Sequence, residues 1–191
     1  MQTMTANTFA TPPSDAELIR DCQCGKPEAF RELYRRHQKS VRAMLQHLCD
    51  PVMLEDLVQE VFIKAWKGLP KMRGTAQFST WLYRIAWNVG ADYRRKMAQQ
   101  RQRTQQQEIM YDLADNAPHT LLQLHHQDIV NRGLQHISPD HAIVIILHDL
   151  QDMPQADIAE ILKIPTGTVK SRLFHARQTL RQFFHQEGIS L

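Results

Sequence analysis

What this chain of 191 residues lacks narrows its reading first. It has three cysteines. An odd, low number builds no disulfide framework, and Cys22 and Cys24 are too close in sequence to read easily as a structural pair. That usage suits a reducing compartment, so a cytoplasmic location is expected. No apolar run approaches the ~20 residues that span a bilayer. Residues 1–13 have neither a basic start nor an apolar core, and no secretory signal is expected there. Glycine-rich phosphate loops, nucleophile elbows and paired carboxylates are missing, which argues against catalysis and against a bound cofactor. No segment alternates apolar and polar residues as a strand would. His119, His125, His126, His136, His141 and His148 follow no repeated ligand spacing beyond the adjacent pair, so no metal is assigned to them.

What is present is helical periodicity and an uneven charge distribution. Apolar residues make up 42% of the chain, enough for ordinary cores. The net charge of +3 is mild. Residues 165–184, however, hold Lys170, Arg172, Arg177 and Arg181 and no acid, just after Asp149, Asp152, Asp157 and Glu160. A basic helix beside an acidic one makes a directed field.

Residues 1–13 read as a disordered tail. Ser14 with Glu17 forms a capping box for a short helix to about Asp21. Pro27 opens a second helix, with Ala29, Phe30, Leu33, Tyr34, Val41, Leu45 and Leu48 on its apolar side. Asp50-Pro51 starts a third, ending near Gly68-Leu69-Pro70. A loop follows from Lys71 to Gln77, and a fourth long helix begins near Ser79. Residues 98–118 are glutamine-rich and read as a linker, partly helical at its start. Helical patterns resume at 121–137, from Ser138-Pro139 to about Leu150, and after Pro154. Pro165-Thr166-Gly167 reads as a tight turn before a last helix to about Phe184. The expectation is an all-α protein: two small helical bundles over 14–97 and 119–187, joined by a flexible linker.

At 100° per residue, Val169, Leu173, Ala176, Leu180 and Phe183 share one stripe of the last helix. Ser171, Phe174, His175 and Gln178 lie opposite, and Lys170, Arg177 and Arg181 line a flank. An apolar back, a polar and aromatic front and basic edges suit a helix in the major groove. With the short acidic helix before it, this reads as a helix-turn-helix.

The third helix buries Leu54, Leu57, Val58, Val61, Ala65 and Leu69 and turns Asp56, Gln59, Glu60 and Ile63 outward. An outward Ile ringed by acids and an amide is either a protein-docking patch or a solvated face. In the fourth helix Phe78, Leu82, Ile85, Ala86, Val89 and Tyr93 form the core side. Tyr83 and Trp87 point away, beside Arg84, Arg94 and Arg95. Such interleaving suits nucleic acid, or else a second packing face.

Three segments carry a resemblance beyond periodicity. Residues 56–66, DLVQEVFIKAW, resemble the second-region helix of bacterial sigma factors. Residues 78–88, FSTWLYRIAWN, with Asp92-Tyr93-Arg94-Arg95, resemble their promoter-melting helix. Residues 167–173, GTVKSRL, with Ala176-Arg177, are similar to their fourth-region recognition helix. Order, spacing and size match the extracytoplasmic-function group over residues 14 to about 185.

The resemblance implies that Asp56, Gln59, Glu60 and Ile63 bind the clamp coiled coil of core RNA polymerase. The loop with Arg73 and Gln77 would capture a base extruded from the minus-10 element, supported by Phe78 and Trp81. Arg84, Asn88, Arg94, Arg95 and Lys96 would hold the strands near the melted segment. Thr168, Lys170, Ser171, Arg172, Phe174, His175 and Arg177 would serve the minus-35 element. It also implies an anti-sigma partner, often membrane-anchored. This chain departs from the pattern where Pro154 replaces a Ser or Thr cap, leaving Asp152 to cap instead, and where His175 stands in place of a frequent Arg. Gly90 and Trp87 are unusual in a melting helix. The rival readings are a free-standing helix-turn-helix regulator and a nucleic-acid-processing enzyme. A plain regulator has no need for both the acidic docking helix and the aromatic-arginine helix.

Overall fold

The computed structural model describes residues 12–72, 77–105 and 124–189. Among them every regular element is helical. The first bundle comprises α1 (Asp15–Gln23), α2 (Pro27–Leu45), α3 (Leu54–Gly68) and α4 (Phe78–Gln105). The second comprises α5 (Leu124–Gln135), α6 (Pro139–Ile145), α7 (Gln155–Leu162) and α8 (Thr166–Gln186). No described helix is long and apolar enough to cross a membrane.

Local chemistry sets the starts. The Ser14 amide donates to Glu17 Oε2 at 2.7 Å and the Glu17 amide donates to Ser14 Oγ at 3.3 Å, the reciprocal box that frees α1 from two orphan donors. Pro27 and Pro139 each open a helix at a position whose amide would be unpaired anyway. Asp50 accepts from the Val52 amide and winds a single 3-10 turn, Pro51–Met53, before α3.

α2, α3 and α4 close around Leu33, Val41, Leu45, Val61, Leu82 and Ala86, all essentially inaccessible to solvent. Burying a Leu or Val side chain fully contributes about 1.5–3 kcal/mol. Gly90 is the contact point of α4 with the end of α2. A Cβ there would stand 2.7 Å from Leu48 Cδ1 and 3.2 Å from Leu48 Cβ. This accounts for a glycine inside a helix, where it costs about 1 kcal/mol relative to alanine. In the second bundle α8 packs its stripe of Val169, Leu173, Ala176, Leu180 and Phe183 on α5, α6 and α7. One continuous set of buried side chains runs through both bundles, and α7 lies against α4.

Several boundaries differ from the sequence reading. α4 runs to Gln105, eight residues into the glutamine-rich stretch, because nothing before that point breaks a helix. α6 ends at Ile145 and continues as one wide π turn, Ile146–Leu150. Asp152 does not cap α7: it lies in the left-handed region at φ 51°, and Pro154 is the extended residue before the helix, with no side-chain cap. The turn of the helix-turn-helix is Lys163-Ile164-Pro165 rather than 165–167. Lys163 takes φ 55°, and the Ile164 amide reaches back to the Ala159 carbonyl at 3.1 Å. Extended Pro165 then lets Thr166 begin α8.

Candidate nucleic-acid interface and docking groove

The outward residues of α3 divide between two surfaces. Asp56, Gln59 and Ile63 line a groove of about 520 Å³ with Phe30, Tyr34 and Trp66. Its floor is built from edge-to-face rings, Phe30 on Trp66 at 4.9 Å and Tyr34 on Phe62 at 4.6 Å between centroids. Ile63 is 46% exposed and Trp66 42%. Large apolar side chains left in water on a charged face mark a contact surface. Glu60 is not part of this groove. It pairs with Lys64 at 2.7 Å and faces the cleft between α3 and α4, because i and i+4 residues of opposite charge meet along one side of a helix. Trp66 was missed by the sequence reading although it falls beside Gln59 on the helical wheel. Tyr34 was read with the apolar side of the second helix; it is exposed at the groove.

α4 does not present its aromatics to solvent as expected. Tyr83 is only 4% exposed. Its hydroxyl donates to Gln151 Oε1 at 3.0 Å, across to the second bundle, and burial pushes the phenol pKa up. Trp87 is half-buried against the core. The packing-face alternative therefore holds for Tyr83, and the surface it meets includes the other bundle. Arg84 pairs with Glu160 of α7, and Arg94 with Asp140 of α6 at 3.6 Å. Arg95 pairs along its own helix with Asp92 at 3.0 Å. Asn88 and Lys96 are exposed. Phe78 is buried beneath His37 and Trp81 and does not meet solvent. Gln77, just before α4, is exposed. Arg73 lies outside the described residues.

On α8 the front is open. Phe174 is 65% exposed, with Lys170, Ser171 and His175 exposed around it. The His175 ring lies 5.4 Å from Phe174 and stacks at 6.4 Å on His141. The Ser171 hydroxyl donates to the Thr168 carbonyl at 3.0 Å, one turn back. Two of the flanking arginines are engaged. Arg172 donates to Asp140 at 3.2 Å. Arg177 donates to Asp149 from Nε at 3.1 Å and also meets His148. Burial pushes the Asp149 carboxyl up, but the hydrogen bonds and charges of Arg177 and His148 outweigh it, and the net direction is down. Periodicity could not find these pairs, because their partners lie 28 and 32 positions away in sequence.

Comparison with known proteins agrees with this architecture. Residues 33–101 match the model of Sigma-70 region 2, and residues 127–180 that of Sigma-70, region 4. The chain is 32% identical over 179 residues to the ECF RNA polymerase sigma-E factor of Haemophilus influenzae, covering 87% of this chain and 93% of that one. Against the sigma-E factor of Escherichia coli K12 it is 31% identical, covering 87% and 92%. Among solved structures, the sigma factor RpoE in complex with the anti-sigma factor NepR from Bartonella quintana superposes with a TM-score of 0.67 at 27% identity. That match covers 82% of this chain and 96% of the other. CnrH in complex with the cytosolic domain of CnrY shares the fold, with a TM-score of 0.65 at 22% identity, over 90% and 97%. An acidic helix with an open apolar groove, an arginine-rich α4 and a helix-turn-helix, joined to these similarities along nearly the whole length of the relatives, show that the chain belongs to the extracytoplasmic-function RNA polymerase sigma factors.

Proposed function

We propose that this protein is a dissociable subunit that binds core RNA polymerase and directs promoter-specific initiation. The observation that carries the reading is the α3 groove. Ile63 and Trp66 stand in water beside Asp56 and Gln59, on a helix that already buries a full apolar face. A DNA-binding regulator acting alone has no use for that surface. A helical coiled coil of the polymerase would cover it, with apolar anchors inside and the acids at the rim.

DNA is then handled at two places. α8 lays Phe174, His175, Lys170 and Ser171 in the major groove of the minus-35 element. Arg84, Asn88, Arg94, Arg95 and Lys96 hold strands at the minus-10 element, and the loop of Arg73 and Gln77, braced by Phe78 and Trp81, takes an extruded base. Unstacking costs a few kcal/mol per step, and a pocket for the flipped base offsets it. The sigma factor RpoE of Bartonella quintana is solved in complex with the anti-sigma factor NepR, which supports an anti-sigma partner for this chain, membrane-anchored in the manner usual for the group, and action in the cytoplasm where polymerase works.

Run-off transcription with purified bacterial core polymerase tests the reading. Core supplemented with this protein should start at discrete promoter sites that core alone ignores. Transcripts that remain unchanged over a genomic template set would overturn it.

A further inference from the structure

α1 grips both stems of the connection between α3 and α4. At the entry stem, Gln23, the last residue of α1, donates its side-chain amide to the carbonyls of Leu69 and Met72, each at 3.2 Å. A carboxamide nitrogen carries two protons, so one side chain serves both acceptors. These carbonyls bracket the single 3-10 turn Leu69–Lys71, which extended Met72 ends. At the exit stem, His37 Nε2 lies 2.6 Å from Oδ2 of Asp15, the first residue of α1. The His37 ring meets Phe78 edge-on, 5.1 Å between centroids. Asp15 is fixed in turn by Arg36 at 3.1 Å, and Arg36 by Glu32 at 2.7 Å. The two stems also touch each other: a Cβ on Gly68 would stand 2.9 Å from Trp81 Cζ2.

α1 is itself firmly seated. Leu18 and Cys22 are buried in the core, and the box of Ser14 and Glu17 closes the helix start. At its end the Cys24 and Gly25 amides return to the Arg20 and Cys22 carbonyls. Gln23 is exposed, so burial of apolar area does not explain its place; its two hydrogen bonds do.

We propose that Gln23 is a positioning residue for capture of the minus-10 base, and that His37, held by Asp15, has the same role at the other stem. The proposal rests on the sigma-factor reading, in which Arg73, next after Met72, and Gln77, next before Phe78, meet the extruded base. Neither Gln23 nor His37 touches DNA in this role. Each acts through the backbone or ring that it holds. A binding site works only when its supporting contacts keep it within about 0.5 Å of the productive geometry. Without Gln23, water satisfies the two carbonyls, and base capture must then order the entry stem at an entropic cost. That cost shows on paired DNA, where capture has to offset unstacking, and not on DNA already open.

The test uses the full chain with core polymerase on a promoter mapped by run-off transcription. One template is fully paired; the other is identical but mismatched across the minus-10 segment. Permanganate reactivity of unpaired thymines reports opening. Gln23→Met keeps the length of the side chain and removes its donors. It should lower opening and run-off on the paired template about fivefold, the scale of one or two hydrogen bonds. On the mismatched template it should stay within twofold of the unmodified chain, with core retention and thermal unfolding unchanged. Gln23→Arg, whose guanidinium has donors for both carbonyls, should keep at least half of the activity, although Met is closer to Gln in volume. His37→Ala should repeat the paired-template defect, and His37→Phe, which keeps a ring on Phe78, should not. Normal opening of the paired template by Gln23→Met overturns the proposal, as does an equal loss on both templates or a failure of Gln23→Arg to restore opening. Normal opening by His37→Ala overturns the role given to His37. The parent reading fails separately: it falls if the unmodified chain starts transcription nowhere.

Discussion

In the proposed function Ile63 and Trp66 are anchors by position: each is an apolar side chain held on a rigid helix, half in water, flanked by acids. Ile63→Arg places a charge where the groove needs an apolar contact, and Trp66→Ala removes its largest ring. Either change should lower retention on immobilised core polymerase at least tenfold, the scale of a single hot spot of 1.4 kcal/mol or more. Thermal unfolding should move little, since neither residue is in the core. Retention equal to that of the unmodified chain would argue against the groove. Gly90 poses the opposite problem. Helix propensity alone predicts that Gly90→Ala gains about 1 kcal/mol. The added Cβ, however, meets Leu48 Cβ at 3.2 Å as well as the movable Cδ1. Overpacking of this kind costs about 1–3 kcal/mol. The net expectation is destabilisation of up to about 2 kcal/mol, read from urea unfolding; a gain would show that α2 and α4 yield freely.

At the scale of elements, the recognition helix is tethered by its own neighbours. Arg177 is held by Asp149 and His148 at the π turn, and Arg172 by Asp140. These pairs join α8 to α6 and the π turn and, in the proposed function, occupy cations that phosphate would otherwise take. Asp149→Asn should therefore have two effects. Duplex binding should gain one phosphate contact, steepening the salt dependence by about one unit in log–log slope. Stability should fall by no more than about 1 kcal/mol at pH 7, because the partners are substantially solvated. The pH window follows from the lowered carboxyl of Asp149. Its contribution is complete above the ordinary aspartate range near pH 4 and disappears as pH falls through the lower folded value. The unfolding midpoints of variant and parent should converge in acid and diverge toward neutrality; a difference that persists unchanged to pH 2 would exclude this ion pair as its source.

Across the whole molecule, the proposed function divides promoter recognition between two bundles that must act on one DNA. Their target elements must then lie at a set distance and on a set helical face. Inserting five base pairs between them rotates one by about half a turn of B-DNA. Run-off product should fall by tenfold or more, and an insertion that leaves initiation intact would show that only one bundle selects the start site.

Helix number, the capping box at Ser14 and Glu17, the buried stripe of α8 and the outward Phe174 were legible in the sequence, because each rests on residues within a turn or two of one another. The three motif segments made the family legible for the same reason. Tertiary structure alone decided where Tyr83, Arg84, Arg94, Arg172 and Arg177 spend their polar groups, since their partners lie 28 to 76 positions away. It also decided that Glu60 leaves the groove and Trp66 joins it, and that Gly90 is a packing contact rather than a flaw. A helical wheel shows which side chains leave the helix's own core. What meets them depends on how separate helices are brought together, and in this protein that meeting sets α7 against α4.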